Sequence, residues 1–172
     1  MADVTDPHGL GPDSYDLVSC QNVLLHVTDD GEFRQALANV ADLVAPGGAL
    51  LMTEPILLHL EYEHPYDPEK HSRARVLAAY REPLEAAGLR LEALEAATVL
   101  GNNPIEAGST TAMRRFGWWW RFVAKRSKEG PASVAWIGRV IYHIDPMALR
   151  TGAAPSSKLA LFRRPADDQS NV

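Results

Sequence analysis

The stretch from Tyr15 to Thr53 limits what this chain can fold into more than any other part of it. It opens with YDLVSCQNVLL, a nearly continuous apolar run beginning with β-forming residues. Such a run predicts a strand buried on both faces, as in a parallel sheet. Thr28-Asp29-Asp30 follows, and Asp29 with Glu32 three residues on has the form of a capping box. Phe33, Leu37, Val40 and Val44 then recur at i, i+4, i+7 and i+11, the apolar stripe of an amphipathic helix. Pro46-Gly47-Gly48 is expected to end that helix, because glycine accepts the left-handed backbone of a helix stop. Ala49-Leu50-Leu51-Met52-Thr53 reads as a second buried strand. Strand, helix, glycine turn and strand make one βαβ unit with a parallel pairing.

The rest of the chain extends this pattern. Residues 55–72 are polar, aromatic and proline-rich, and read as a long loop. Leu77 to Ala87 predicts a short helix closed by Gly88, in which Pro83 fits only if the helix starts late. Leu89 to Val99 predicts a third strand, Lys158 to Phe162 a fourth, and the tail from Pro165 is expected to fray. Two helices are expected between the last two strands. Met113, Phe116, Trp120 and Val123 line one face of the first; Val134, Ile137, Val140 or Ile141, and Ile144 line the second. Ser127 to Pro131 is the turn between them. At 172 residues the chain has the length of one domain. Residues 1–172 are therefore expected to form a single domain with a helical insertion over about 101–155.

Charge narrows the function classes. A net charge of −5 gives no footprint for nucleic acid, which needs clustered Lys and Arg; Arg114 to Lys128 is the one basic segment. No apolar run reaches the roughly 20 residues of a membrane span, and Met-Ala-Asp-Val-Thr-Asp at the N-terminus has no apolar core of a signal peptide. Cys20 is the single cysteine, so no intrachain disulfide can form, and a reducing, cytoplasmic setting is expected.

The order Asp3, Tyr15-Asp16, Asn22-Val23-Leu24-Leu25-His26, helix, Pro46-Gly47-Gly48 and strand resembles the second half of a class I S-adenosylmethionine-dependent methyltransferase core. LAAYREPLEAAGLRL resembles that family's last core helix leading into strand six, and SSKLALFRR resembles strand seven. The resemblance touches most of residues 2–100 and 156–164. It implies a partial Rossmann-like α/β sheet, ordered 4-5-7-6 in the family's strand numbers, mostly parallel with its last strand antiparallel. It also implies S-adenosylmethionine as cofactor and methyl transfer to a small-molecule acceptor. The family's G-x-G-x-G loop after strand one and the acid ending strand two are not in this sequence. Gly9-Leu10-Gly11 does not replace the loop, since it follows no strand and opens no helix. The chain is accordingly expected to be a truncated C-terminal portion, binding cofactor poorly and inactive alone. A missing strand one would leave strand four with an open apolar edge, completed by an N-terminal segment or a partner such as a second copy.

The resemblance places Asp3 and Val4 near the adenine, and the backbone of Cys20, Gln21 and Asn22 against the methionine part of the cofactor. Cys20 itself reads as a small buried hydrophobe. His26, just past strand four, is the candidate general base, against the plainer role of capping or packing under the next helix. Glu54 ends strand five on the same rim, where it faces either the acceptor or the following loop. His59, Tyr62, His64, Tyr66 and His71 crowd one loop, which reads as a substrate cover rather than a zinc site because no short-spaced ligand pair is present. Trp118-Trp119-Trp120 with its flanking arginines reads first as a packed helix. A lid over an apolar acceptor, with Trp119 and His143 toward it, comes second, and an interfacial membrane helix third. Two other functions stay open: a non-catalytic methyltransferase-like module paired with another chain, and a peripheral membrane protein.

Overall fold

Parallel pairing of two short apolar segments organises the sheet. The computed structural model describes residues 4, 11–13, 15–58 and 71–166. β1 (Tyr15–Gln21) and β2 (Val44–Glu54) run parallel, joined by a single 3-10 turn at Leu24–His26 and by α1 (Asp30–Asp42). A two-residue pair follows, β3 (Ile56–Leu57) with β4 (Arg75–Val76), then α2 (Leu77–Ala86) and β5 (Arg90–Ala96). The helices α3 (Thr110–Ser127) and α4 (Pro131–Leu149) precede β6 (Lys158–Arg163). The four-stranded sheet is ordered β1-β2-β6-β5, the expected sequence of neighbours. Gly47 donates its backbone N–H to Arg164, and Arg164 donates to Gly48, near the start of β2 and the end of β6, while Ala97 donates to Ser157 at the opposite ends of β5 and β6. β6 therefore runs against both of its neighbours.

The helix between the parallel strands ends earlier than the apolar stripe suggests. Asp29 caps α1 by accepting from the amides of Gly31 (2.7 Å) and Glu32 (2.9 Å), so one arm of the capping box forms. The helix stops at Asp42, and Val44 is buried as the first residue of β2. Pro46-Gly47-Gly48 is thus a bulge inside β2 and not the helix stop. Tyr15 pairs with Val44 and Leu17 with Ala49, so the one residue of β1 between these pairs stands against four of β2. Gly48 makes this approach feasible: a Cβ there would lie 2.8 Å from the Ala45 carbonyl and 3.0 Å from that of Tyr15.

Phe33, Leu37 and Val40 of α1 pack with Tyr80 and Leu84 of α2 onto Leu50, Met52 and Phe162 of the sheet. The Phe33 and Tyr80 rings meet edge to face at 5.1 Å. α2 begins at Leu77, so Pro83 lies in its interior and not in a late first turn. Full burial of Tyr80 and Leu84 on either side of it holds the helix where local propensity would break it.

β2 is buried on the face of Leu50, Met52 and Glu54 and half-buried on the face of Leu51 and Thr53, and β1 is covered still less. β1 is the edge of its sheet, and Leu17 keeps 59% of its surface exposed. The residues on that side of the strand, Tyr15, Leu17, Ser19 and Gln21, all stand exposed. The expected two-sided burial fails because, among the described residues, nothing packs over that face of β1.

The chain divides into two units, Met1–Leu94 with Leu159–Val172, and Glu95–Lys158. The second is built on the α3–α4 hairpin. Ser109 caps α3 through the Ala112 amide (3.1 Å), and Gly130, at φ 130°, makes the turn before Pro131 opens α4. Asp145, the lone carboxylate of α4, is buried and accepts from the amides of Val99 (3.0 Å) and Leu100 (2.7 Å). Lys158 and Glu106 form a buried ion pair. No helix among the described residues is long and apolar enough to cross a membrane.

Candidate active site at the strand tips

The register of β1 on β2 builds the site. Cys20 pairs with Met52 and Gln21 with Thr53, so Glu54 comes opposite Asn22, one step beyond the ladder. Asn22 takes left-handed backbone at φ 53°, which asparagine adopts more readily than most residues, and its amide donates to Thr53 at 2.8 Å. The chain then turns into the 3-10 segment, whose leading amides have no partner within it. Glu54 accepts all of them: Val23 and Leu24 on Oε1 at 2.9 Å each, Leu25 on Oε2 at 3.1 Å. The loop after β1 is clamped to the tip of β2.

That clamp is dry. Glu54 has no exposed surface, and burial pushes its carboxyl up to about 7, against the downward pull of the three amides and of His26. Burial, then the neighbouring Glu54, pushes the Cys20 thiol up to about 12, so Cys20 is a neutral packing residue. The Tyr80 hydroxyl is wholly buried with no hydrogen-bond partner among the described residues, and burial raises its pKa as well.

His26 ends the 3-10 turn, exposed, with Nδ1 3.0 Å from the carbonyl of His71. A carbonyl only accepts, so Nδ1 must carry the proton of this bond, and Nε2 of the neutral ring keeps its lone pair. His71 sits at φ 45°, and the segment after it is strapped to the same loop. Arg73 donates its amide to Leu25 at 2.8 Å, and its guanidinium reaches Asp30 at 2.9 Å. Arg75 is buried, with its guanidinium on Asp30 and on the Thr28 carbonyl (3.1 Å) and stacked 3.9 Å over the Phe33 ring.

Cys20, Gln21, Asn22, His26 and Glu54 therefore come together at one end of the sheet. Gln21 is exposed and its amide nitrogen reaches Ser19 Oγ at 3.0 Å. Val4 is half-buried against the core and its carbonyl accepts from Asn39 at 3.0 Å. Of the two orientations open to Glu54, the structure has the carboxylate turned into the protein toward the loop. Asp3, His59, Tyr62, His64 and Tyr66 lie outside the described residues. Trp119 and His143 belong to the helical unit: the Trp119 indole donates to the Leu100 carbonyl at 2.9 Å, and His143 meets Tyr142 edge to face at 5.3 Å. No group of three His, Cys, Asp or Glu among the described residues is placed to hold a metal ion.

Sequence reading missed Arg73, Arg75 and Asp145. The two arginines give no local signal, because their partners lie more than 40 positions away in the chain. Asp145 does give one, as a single acid within an apolar helix.

No protein-family model and no curated protein sequence matches the chain. Solved structures do. The chain is similar to the (4+2)-cyclase SpnF at 16% identity, with a TM-score of 0.52, over 96% of this chain and 54% of that one. It is similar to an S-adenosylmethionine-dependent methyltransferase from Methanosarcina mazei at 10% identity, TM-score 0.52, over 96% and 66% of the two chains. A third is the O-methyltransferase from the trans-AT PKS multienzyme of Brevibacillus brevis in complex with S-adenosyl-L-homocysteine, at 14% identity and TM-score 0.50, over 95% and 48%. The chain thus has the Rossmann-like methyltransferase fold and spans between 48% and 66% of the length of these structures.

Proposed function

We propose that this chain forms the C-terminal portion of an S-adenosylmethionine-dependent methyltransferase acting on a small-molecule acceptor. Its cofactor would lie across the tips of β1 and β2. The observation that carries this reading is the Glu54 clamp. It fixes the loop after β1 while leaving Gln21 and the Asn22 side chain facing solvent at the carboxyl ends of two neighbouring parallel strands, where open α/β sheets bind ligands. The methyltransferase neighbours, one of them holding S-adenosyl-L-homocysteine, support the choice of ligand. SpnF is named as a cyclase, so the fold by itself does not fix the chemistry, and the reading rests on the site.

The residues present fit one wall of a nucleoside pocket. Val4 and the Cys20–Asn22 backbone would line it, with Asp3 beside the adenine. The glycine-rich loop that receives the methionine carboxylate would come from a further strand on the open side of β1. When bound, the cofactor would supply an electrophilic methyl group on a sulfonium centre, whose bond to sulfur breaks as the acceptor oxygen bonds to the methyl carbon in line and S-adenosylhomocysteine leaves. His26 Nε2 would take the proton of an acceptor hydroxyl as the new carbon–oxygen bond forms, and Nδ1, tied to His71, would hold the ring in the required tautomer. Such a base contributes about 10²–10⁴-fold, and alignment of the reactants contributes the rest. His59 and Tyr62 would contact the acceptor, and about 101–155 would be a helical insertion in one methyltransferase domain. With one cysteine, buried in the core, the protein suits the cytoplasm.

Calorimetric titration with S-adenosylhomocysteine tests this. The chain is expected to bind it weakly, with Kd on the order of 1 mM, and binding should tighten when a strand with the glycine-rich loop is supplied in trans or by fusion. No heat of binding in either case overturns the cofactor assignment. A second reading, a non-catalytic module that uses the open edge of β1 to pair with another chain, is favoured by the exposure of Leu17. Under it, pairing occurs without cofactor binding.

A further inference from the structure

The α3–α4 hairpin carries two stripes of side chains that its own packing leaves uncovered. Along α4, Ile137, Ile141, Asp145 and Ala148 recur at i, i+4, i+8 and i+11 and form the side that packs, with Ile137 and Asp145 buried. One residue round the helix, Trp136, Val140, Ile144 and Met147 repeat that spacing. Trp136 is 57% exposed, Ile144 45% and Met147 67%, with Val140 half-buried among them. Along α3, Arg114, Trp118, Arg121 and Lys125 recur at i, i+4, i+7 and i+11, and all four are exposed. Trp118 keeps 64% of its surface in water, whereas Trp119 spends its N–H on the Leu100 carbonyl and Trp120 is half-buried. α3 carries five cations and no carboxylate. Arg114, Arg115, Arg121 and Lys125 have no ion-pair partner among the described residues. The two stripes meet at an open cleft of about 580 Å³, lined by Ile144 of α4 and by Arg114, Arg115 and Trp118 of α3. Its wall is almost wholly apolar, so the arginines give it their hydrocarbon stems, as cations do when they cover apolar surface and keep their charged ends in water.

We propose that this face of the hairpin docks on an anionic phospholipid surface. Trp118, Trp136, Ile144 and Met147 enter the boundary between headgroups and acyl chains, roughly 5–10 Å deep, and the α3 cations lie on the lipid phosphates. Charge complementarity selects this partner. In a chain of net charge −5, a helix with five cations and no acid turns that one face toward a negative surface. A second copy of the chain is the poorer fit, because a two-fold contact through this face would set the cations of one α3 against those of the other. A nucleic acid would answer the cations and stack on Trp118, but it would leave Ile144 and Met147 in water. The proposal asks nothing of the cofactor or of the strand tips, so its failure leaves that reading untouched.

The test is co-sedimentation of the full chain with vesicles of phosphatidylcholine alone and of phosphatidylcholine and phosphatidylglycerol in equal parts. The anionic vesicles are expected to bind it about tenfold more tightly or better at low salt, and the preference should shrink as sodium chloride is raised. Each cation near such a surface is worth about fivefold, so Arg114→Gln, Arg121→Gln and Lys125→Gln together should weaken binding about 100-fold. Arg90→Gln, which removes an exposed cation of β5, should change it less than about twofold. Insertion is read separately. Acyl-brominated lipid should quench tryptophan emission, and Trp118→Phe with Trp136→Phe should remove most of that quenching. Ile144→Ser with Met147→Ser should weaken binding about tenfold or more. All these side chains are exposed, so the variants should melt as the parent does in circular dichroism. No sedimentation with phosphatidylglycerol vesicles, equal binding to both vesicle types, a triple variant that binds as the parent does, or binding without quenching would each overturn the proposal. So would binding to poly(U) that the Ile144→Ser, Met147→Ser variant retains, by a chain that does not sediment with vesicles, an outcome that assigns α3 to nucleic acid.

Discussion

Glu54 decides the local structure of the site, and its environment makes it testable. Burial raises its carboxyl from the ordinary 4.5 to about 7, so between those values the folded chain holds a proton that the unfolded chain has released. Stability contributed in this way is complete below the lower value and is lost as pH rises through the upper one. The urea midpoint should therefore fall from about pH 5 to about pH 7, and Glu54→Gln should flatten that slope. Glu54→Ala, which leaves the three amides without their acceptor, should cost about 1–3 kcal/mol. His26→Ala should lower kcat of the completed enzyme about 10²–10⁴-fold on a phenolic acceptor, with little change in S-adenosylhomocysteine affinity. The presence of Glu54 on the rim was legible in the sequence, because it ends an apolar strand. Its inward turn was not. That depends on the parallel register bringing Asn22 beside it, which no local pattern encodes. Arg75 was hidden for the same reason, since Asp30 and Phe33 reach it only once the chain has folded.

At the scale of elements, periodicity located the strands and helices, and their ends were set by contacts between them. The stripe through Val44 is a true apolar pattern, but its last member serves β2, because the sheet can bury Val44 at the point where α1 has already stopped. Gly47 and Gly48 gave a correct signal of unusual backbone and a wrong one of helix termination. Gly48→Ala tests the bulge: a methyl driven against the Ala45 and Tyr15 carbonyls should cost about 1–3 kcal/mol in denaturant unfolding, and a neutral result would mean the strands can separate there without loss. Pro83 is the converse case, a residue that breaks helices, held inside one by its buried neighbours. Pro83→Ala restores an amide donor to the Ala79 carbonyl and should stabilise the chain by about 1–2 kcal/mol, after allowance for the freer unfolded chain. A lower melting temperature would show instead that the proline fits its helix without strain.

For the whole molecule, the order of strands followed from the sequence through its resemblance, while the bareness of β1 came from reasoning about what lies beside it. An apolar run announces burial, yet Leu17 is exposed, and among the described residues β1 is the edge of its sheet, where unpaired backbone groups are open to another strand. Leu17→Lys should leave the stability of the isolated chain within about 0.5 kcal/mol and suppress association in light scattering. Unchanged association would place the contact elsewhere. A nucleoside at the tips of β1 and β2 is visible in the backbone amide resonances as S-adenosylhomocysteine is added to millimolar concentration. The largest shifts are expected at Val4 and Cys20 to Val23, with the helical hairpin silent. Shifts confined to residues 95–158, or none at saturating nucleoside, would contradict that placement.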